Sequence, residues 1–173
     1  LYFSFQKTMP RIPLISKIRE KIITTDNLVL KVSQWKKNKM KVAFTNGCFD
    51  ILHLGHLKIL TKSKEFGDRL IVAVNSDESV RKLKGKERPI NDFQTRSNML
   101  ASFSFVDYVV EFSDDTPKKL IQKIKPDFLI KGGDYKKKDI VGNDIVSSYG
   151  GETIIIPLID GLSSTNTINK INK

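Results

Sequence analysis

A chain of 173 residues with 39% apolar side chains can bury one respectable core, and its length excludes two full domains. The net charge of +11 favours anionic partners such as nucleotides, sugar phosphates or nucleic acid. A single cysteine, Cys48, excludes an intramolecular disulfide framework and a zinc ribbon, and no apolar run reaches membrane-spanning length.

The expectation is a soluble, cytoplasmic protein with no membrane partner. Lys7, Arg11 and Lys17 interrupt the apolar residues at the start and argue against a signal peptide. The aromatic opening Leu1-Tyr2-Phe3-Ser4-Phe5-Gln6 looks like an imperfect protease-site scar and is set aside. Residues 1–24 are treated as an N-terminal extension, part of it tag-like, and 25–173 as the folded domain.

In chain order, residues 12–37 read as helical, with Thr24, Thr25 or Asp26 as cap and Leu28, Leu30, Val32 and Trp35 as apolar positions. From Lys41 onward short apolar runs alternate with helical stretches. Five strands are expected, at 42–44, 70–74, 108–110, 128–130 and 153–156. Helices are expected at about 55–65, 92–103, 116–124, 141–149 and 164–171, with Gly67 and Gly150-Gly151 as stops and Thr116-Pro117 as a start. Strands apolar on both faces and separated by helices imply an α/β protein with a parallel sheet covered on both sides. In such a sheet ligands bind beyond the carboxyl ends of the strands, where the strand order switches.

The residues after the first of these strands read Thr45-Asn46-Gly47-Cys48-Phe49-Asp50, then Ile51-Leu52-His53-Leu54-Gly55-His56. A glycine turn lets backbone approach a phosphate, and the helix starting near Gly55 directs free N–H groups and a positive dipole end to the same place. Neither GxxxxGK[ST] nor GxGxxG is present. His53 and His56, at i and i+3, project to one side of that helix start, with Gly55 leaving room between them. A lone histidine is most often a packing residue. Both histidines of this chain, however, fall in one four-residue window at a strand-to-helix turn, which favours chemistry. A zinc site made of His53, His56, Asp50 and Cys48 is the competing reading, but these residues lack the closed ligand spacing of tight zinc sites, and no metal ligands are assigned.

The stretch resembles the HxGH signature of the cytidylyltransferase-like nucleotidyltransferases, and the resemblance runs from about residue 25 to 171. "FTNGCFDILHLGHLKIL", "IVAVNSDESVRKLKGKERPIN", "VDYVVEF", "DTPKKLIQKIKPDFLIKGGDY", "IVGNDIV" and "GLSSTNTINKI" are similar to the sugar-phosphate adenylyltransferases that join ATP and D-glycero-β-D-manno-heptose 1-phosphate. The resemblance implies a Rossmann-like three-layer α/β/α fold with a five-stranded parallel sheet.

It also implies roles. His53, His56 and Lys84 would be catalytic, with Lys84 on a glycine-flanked loop over the triphosphate. Thr45, Asn46, Gly47, Cys48, Phe49 and Gly55, then Gly132, Gly133 and Asp134, then Ser163, Ser164 and Thr165, would hold ATP, with Ser164 replacing a threonine of the family pattern. Asp50, Asn75, Asp77 and Arg88 would bind the sugar phosphate. Arg96, read from its own chemistry, offers either a guanidinium fork for a phosphate or a buried structural or subunit contact at the start of a helix. Mg²⁺ would accompany the departing pyrophosphate. A homodimer is expected, as is a stand-alone form of a domain that some bacteria fuse to a sugar kinase, feeding lipopolysaccharide inner-core synthesis.

Two rivals remain at this level. One is a cytidylyltransferase acting on glycerol 3-phosphate or another polyol or sugar phosphate, separated by nucleotide choice. The other is a non-catalytic nucleic-acid-binding module, which would need a clustered basic face with stacking aromatics. The lysines are instead spread along the chain and the phenylalanines fall in core segments, so nucleic acid is not an expected partner.

Overall fold

Alternation along the strands builds two apolar layers. Leu70, Val72 and Val74 join one buried cluster with Leu60, Leu100 and Ala101, whereas Ile71 and Ala73 join another with Leu28, Val32, Leu120 and Ile121. Successive strand residues point to opposite faces, so a run apolar at every position must be covered twice. The result is a three-layer α/β/α arrangement.

The computed structural model describes residues 13–159 and 161–171; the aromatic opening lies outside them. In chain order the elements are α1 (Leu14–Arg19), β1 (Ile22–Ile23), α2 (Thr25–Lys37), β2 (Val42–Gly47), α3 (Leu54–Phe66), β3 (Arg69–Asn75), α4 (Asp77–Lys84) and α5 (Phe93–Ser102). There follow β4 (Tyr108–Phe112), α6 (Lys118–Ile124), β5 (Phe128–Gly132), a 3-10 turn (Lys137–Asp139), α7 (Asn143–Ser148), β6 (Glu152–Ile156) and α8 (Ser164–Ile171). Among the described residues no helix is long and apolar enough to cross a membrane.

The sheet has six parallel strands, not the five expected, in the order β1-β4-β3-β2-β5-β6. The sixth is β1, whose Ile22 and Ile23 pair with Val109 and Val110. It interrupts the segment 12–37 expected to be helical throughout. The cause is local: Thr24 is extended, and its hydroxyl accepts from the Asn27 N–H, so α2 starts afresh after the β-branched pair. The chain also forms α4, Asp77–Lys84, in a stretch where no helix was expected. Ser76 caps it, accepting from the Ser79 N–H.

The amino ends of the central strands are pinned by two carboxylates. Asp127 accepts from the Val42 N–H and the Lys41 ammonium, and Asp107 from the Leu70 N–H, Arg69 and Lys64. Several lysines are thus engaged in the frame, away from the carboxyl ends where a ligand would sit.

At the opposite end the frame depends on Arg96, in α5, which is 1% exposed. Its Nε donates to the Asn91 carbonyl (2.9 Å), Nη1 to the Cys48 carbonyl (2.6 Å), and Nη2 to both the Asn75 carbonyl (2.8 Å) and Asp77 Oδ1 (2.7 Å). One guanidinium therefore joins the exit of β2, the end of β3, the start of α4 and the loop before α5. Of the two readings open for Arg96, a phosphate fork and a buried structural contact, these bonds match the second, and only a planar five-donor fork can make it. Arg96→Met should lower unfolding free energy by about 3 kcal/mol, because it strands a carboxylate and three carbonyls. Arg96→Lys should lose about 1 to 2 kcal/mol, since a single ammonium cannot reach all four acceptors. Urea unfolding of both variants checks the order; equal stability of Arg96→Met and the native protein would refute it.

Candidate active site

Strand order reverses at β2: the chain proceeds to β3 and β4 on one side, and to β5 and β6 on the other. Pairing of β2 with β3 continues to Gly47 opposite Val74, but pairing with β5 ends at Thr45 opposite Ile130. Past that point the two strands part. A cleft of about 330 Å³ opens there, the size of a small-ligand site.

Fifteen of the nineteen residues singled out from the sequence border this cleft. They come from four places: the turn after β2 with the start of α3 (Thr45, Asn46, Gly47, Cys48, Phe49, Asp50, His53, Gly55, His56), the end of α4 with the loop beyond it (Lys84, Arg88), the end of β5 (Gly132), and the entry to α8 (Ser163, Ser164, Thr165). Gly133, Asp134, Asn75 and Asp77 do not border it. Asn75 is 4% exposed and donates to Ser79 Oγ, while the Asp77 carboxylate is held by Arg96. Lys84 stands on the last turn of α4 rather than on a loop, with Gly85 ending the helix at φ 99°. Its neighbour Lys82 is paired with Glu78 (2.8 Å).

Phe49 shapes the turn. Its backbone is left-handed, at φ 49°, a conformation that costs a bulky residue about 1 to 3 kcal/mol. Burial of the ring against His56, with centroids 5.2 Å apart, offsets that cost and fixes the histidine from behind. His53 and His56 stack on each other, centroids 3.9 Å apart and planes at 28°. Neither Nδ1 has a hydrogen-bond partner among the described residues. Gly55 is required by this stacking, because a Cβ there would stand 3.0 Å from the His53 ring.

Burial lowers the His53 pKa, and burial together with the His53 ring lowers that of His56 to about 4. Both imidazoles are accordingly neutral at pH 7. They stand at the start of α3, where His53 is an extended N-cap whose side chain does not cap the helix. The N–H groups of Leu54 and Gly55 have no partner among the described residues, while those of His56 and Leu57 donate to the His53 carbonyl. At α8 the Ser163 hydroxyl accepts from the Asn166 N–H, and Ser164 Oγ donates to the Ile51 carbonyl (2.9 Å), tying this helix to the β2 turn.

Asp50 is 3% exposed, and its carboxylate accepts from Arg88 Nε and from the Asn91 N–H (2.9 Å). Burial acts to raise its pKa, but the N–H groups of Asn91 and Ile90 and the Arg88 guanidinium outweigh that and hold it below the ordinary value. Asp50 and Arg88 thus bind each other. Among the described residues no group of three or more His, Cys, Asp or Glu side chains is arranged to hold a metal ion.

Five further residues border the cleft: Ile59, Lys131, Tyr135, Leu158 and Leu162. Lys131 and Tyr135 flank the glycine pair of "KGGDY", so their closeness to that loop was a usable signal. The apolar three carry none, since in sequence they look like any core residue.

The fold and the cleft together define a three-layer α/β domain with its candidate site at the switch in strand order. The chain belongs to the cytidylyltransferase-like family, whose model matches residues 44–169. It is 50% identical over 150 residues to the bifunctional protein HldE of Actinobacillus pleuropneumoniae serotype 5b, covering 87% of this chain and 32% of that protein. With the bifunctional protein HldE of Helicobacter hepaticus it shares 49% identity over 156 residues, 90% of this chain and 31% of the other. The chain thus spans about a third of the length of the curated relatives it matches. The crystal structure of the lipopolysaccharide core biosynthesis protein from Thermoplasma volcanium superposes with a TM-score of 0.57 at 29% identity, over 69% of this chain and 97% of that one.

The histidine pair makes stability depend on pH. Between the ordinary value of 6.5 and about 4, the unfolded chain binds a proton at His56 that the folded chain does not. Stability is therefore fully present above pH 6.5 and declines as pH falls through this window. Urea midpoints measured from pH 7 to pH 4 should show the decline, and His56→Gln should flatten it.

Proposed function

We propose that the protein is a sugar-phosphate adenylyltransferase that transfers AMP from ATP to D-glycero-β-D-manno-heptose 1-phosphate, giving ADP-heptose and pyrophosphate. The observation that carries this reading is the stacked, neutral His53–His56 pair. Its Nδ1 atoms are unpartnered, and it stands at the open start of a helix, in a cleft that also receives Lys84 and the start of α8. The relatives support the choice of chemistry, because this chain matches about a third of each bifunctional protein, a length suited to one of two activities. The likeness to a lipopolysaccharide core biosynthesis protein supports a product used in lipopolysaccharide core synthesis.

The reaction is a single in-line displacement. An oxygen of the heptose phosphate attacks the α-phosphorus of ATP, a new P–O bond forms, and the bond to the β-phosphate bridging oxygen breaks. A phosphate is already an adequate nucleophile, so no covalent enzyme intermediate is required. The chain's task is to position both anions and to stabilise charge on the α-phosphate oxygens as the transition state forms. His53, His56 and the open N–H groups of α3 are the donors for those oxygens. Neutral imidazoles suit this task, since they donate N–H without exchanging a proton with the substrate. Lys84, exposed at the rim, neutralises the pyrophosphate as it leaves.

The turn from Thr45 to Phe49, Gly55, the loop Gly132-Gly133-Asp134 and the entry Ser163-Ser164-Thr165 are assigned to ATP. Asp50, Asn75, Asp77 and Arg88 are assigned to the sugar-phosphate side, Asn75 and Asp77 through the frame that Arg96 holds. The described residues provide no metal cage, and Mg²⁺ characteristically keeps several waters and binds through substrate phosphates. It is assigned to the polyphosphate. Dependence on ATP implies a cytoplasmic location.

Pyrophosphate release should be fastest with ATP and heptose 1-phosphate in a matrix of ATP, CTP and GTP against sugar and polyol phosphates. Release with CTP and glycerol 3-phosphate instead would replace this reading by a polyol-phosphate cytidylyltransferase. Salt-sensitive RNA or DNA binding without pyrophosphate release would point to a nucleic-acid module. His56→Ala should reduce turnover by roughly 10² to 10³, the loss expected for one oxyanion donor, in a variant whose circular dichroism matches the native protein.

A further inference from the structure

Lys131 has no part in the reaction as proposed, yet it occupies the point where β2 and β5 separate. It follows Ile130, the last β5 residue paired with β2. Its ammonium reaches across the gap to Asn46, donating to the carbonyl oxygen (3.3 Å) and to Oδ1 (3.1 Å). These bonds stand where ladder bonds would have continued. An ammonium has three N–H donors, so two such bonds leave one to spare. The same side chain borders the cleft. No carboxylate among the described residues pairs with it, although other lysines of the frame are paired. Burial pushes its pKa below the ordinary lysine value. A cation withdrawn from water without a counter-charge costs folding free energy, and an incoming anion removes that cost.

We infer that Lys131 is a further substrate-binding residue, whose remaining N–H and charge take an anionic oxygen of the nucleotide at the floor of the cleft. The inference rests on the nucleotide reading of the cleft. It assigns Lys131 a different task from Lys84. Lys84 is exposed on α4, where solvent and salt screen its charge. Lys131 sits between strands, where the same charge acts more strongly on an anion. The ligand class selected is therefore the charged one: adenosine carries no anionic oxygen, whereas ATP does.

The test compares ATP and adenosine binding to the native protein and to Lys131→Met, which keeps an unbranched apolar stem and removes the charge. Calorimetry should show ATP bound about 10- to 100-fold more weakly by Lys131→Met, the loss of one charge-assisted hydrogen bond, with adenosine affinity unchanged. The ligand-free melting temperature should stay the same or rise, because an uncompensated charge has been removed. Lys131→Arg, which keeps a cation, should recover most of the ATP affinity. Equal ATP affinity in Lys131→Met and the native protein overturns the inference. So does an equal loss for ATP and adenosine with a lower ligand-free melting temperature, which would make Lys131 a strut between strands. A native protein that binds adenosine and ATP equally also overturns it, and one that binds neither overturns the nucleotide reading as well.

Discussion

The site exists because β2 cannot stay paired with both neighbours. It follows β3 as far as Gly47 opposite Val74 but leaves β5 after Thr45 opposite Ile130, and the ends of β2 and β5, each still paired with its outer neighbour, become the walls of a cleft. A parallel sheet whose order reverses must open a crevice at the reversal, since the connections leave on opposite faces. The two strands supply the floor through that separation, the Thr45–Phe49 turn and α3 from one and Lys131 and Gly132 from the other, while Lys84, Arg88 and the entry to α8 close over it from elsewhere. The walls must nevertheless be held apart at a fixed distance. Arg96 does this on the β3 side, gathering Cys48, Asn75, Asp77 and Asn91, and Asp50 does so by engaging Arg88 and Asn91.

Charge in the cleft is arranged in depth. The half-buried imidazoles have pKa values lowered by burial, so they favour the neutral, hydrogen-bonding form over the cation. Positive charge is placed instead at the rim on Lys84 and at the strand separation on Lys131, while Arg88 is largely consumed by Asp50. This division has a physical reason. Two stacked imidazolium rings 3.9 Å apart would repel each other strongly, whereas neutral rings can stack, with His56 packed against Phe49, and still leave each Nδ1 without a partner among the described residues.

Much of this was legible in the sequence, and the exceptions have identifiable causes. The runs 42–44, 70–74, 108–110, 128–130 and 153–156 all lie within strands, because uninterrupted β-branched and apolar runs between helices suit a sheet buried on both faces. The pair Ile22–Ile23 escaped notice, as two residues are too few for a periodicity and its pairing with Val109 and Val110 is a long-range contact. The helix α4 was under-signalled because only Ser79 and Val80 of "DESVRKLK" are buried. Asn75 and Asp77, read as substrate contacts, are drawn into the frame by Arg96, a partner nineteen or more residues away in the chain. Lys131 lay next to the glycine pair of "KGGDY", which marked the loop, but its reach across to Asn46 is a contact between strands that no local pattern carries.

What the sequence determined by itself was the alternation of strands and helices, the two-sided burial of the sheet, and the placing of both histidines at a glycine-bearing strand-to-helix turn. These follow from local chemistry: side-chain periodicity, backbone freedom and the open N–H groups of a helix start. Tertiary structure alone decided which strand ends meet, that the histidines stack and remain neutral, that Arg96 serves the frame, and that Lys131 spans the opening. Those properties depend on burial and on distances between residues far apart in the chain, such as Asn46 and Lys131, and no local pattern carries either quantity.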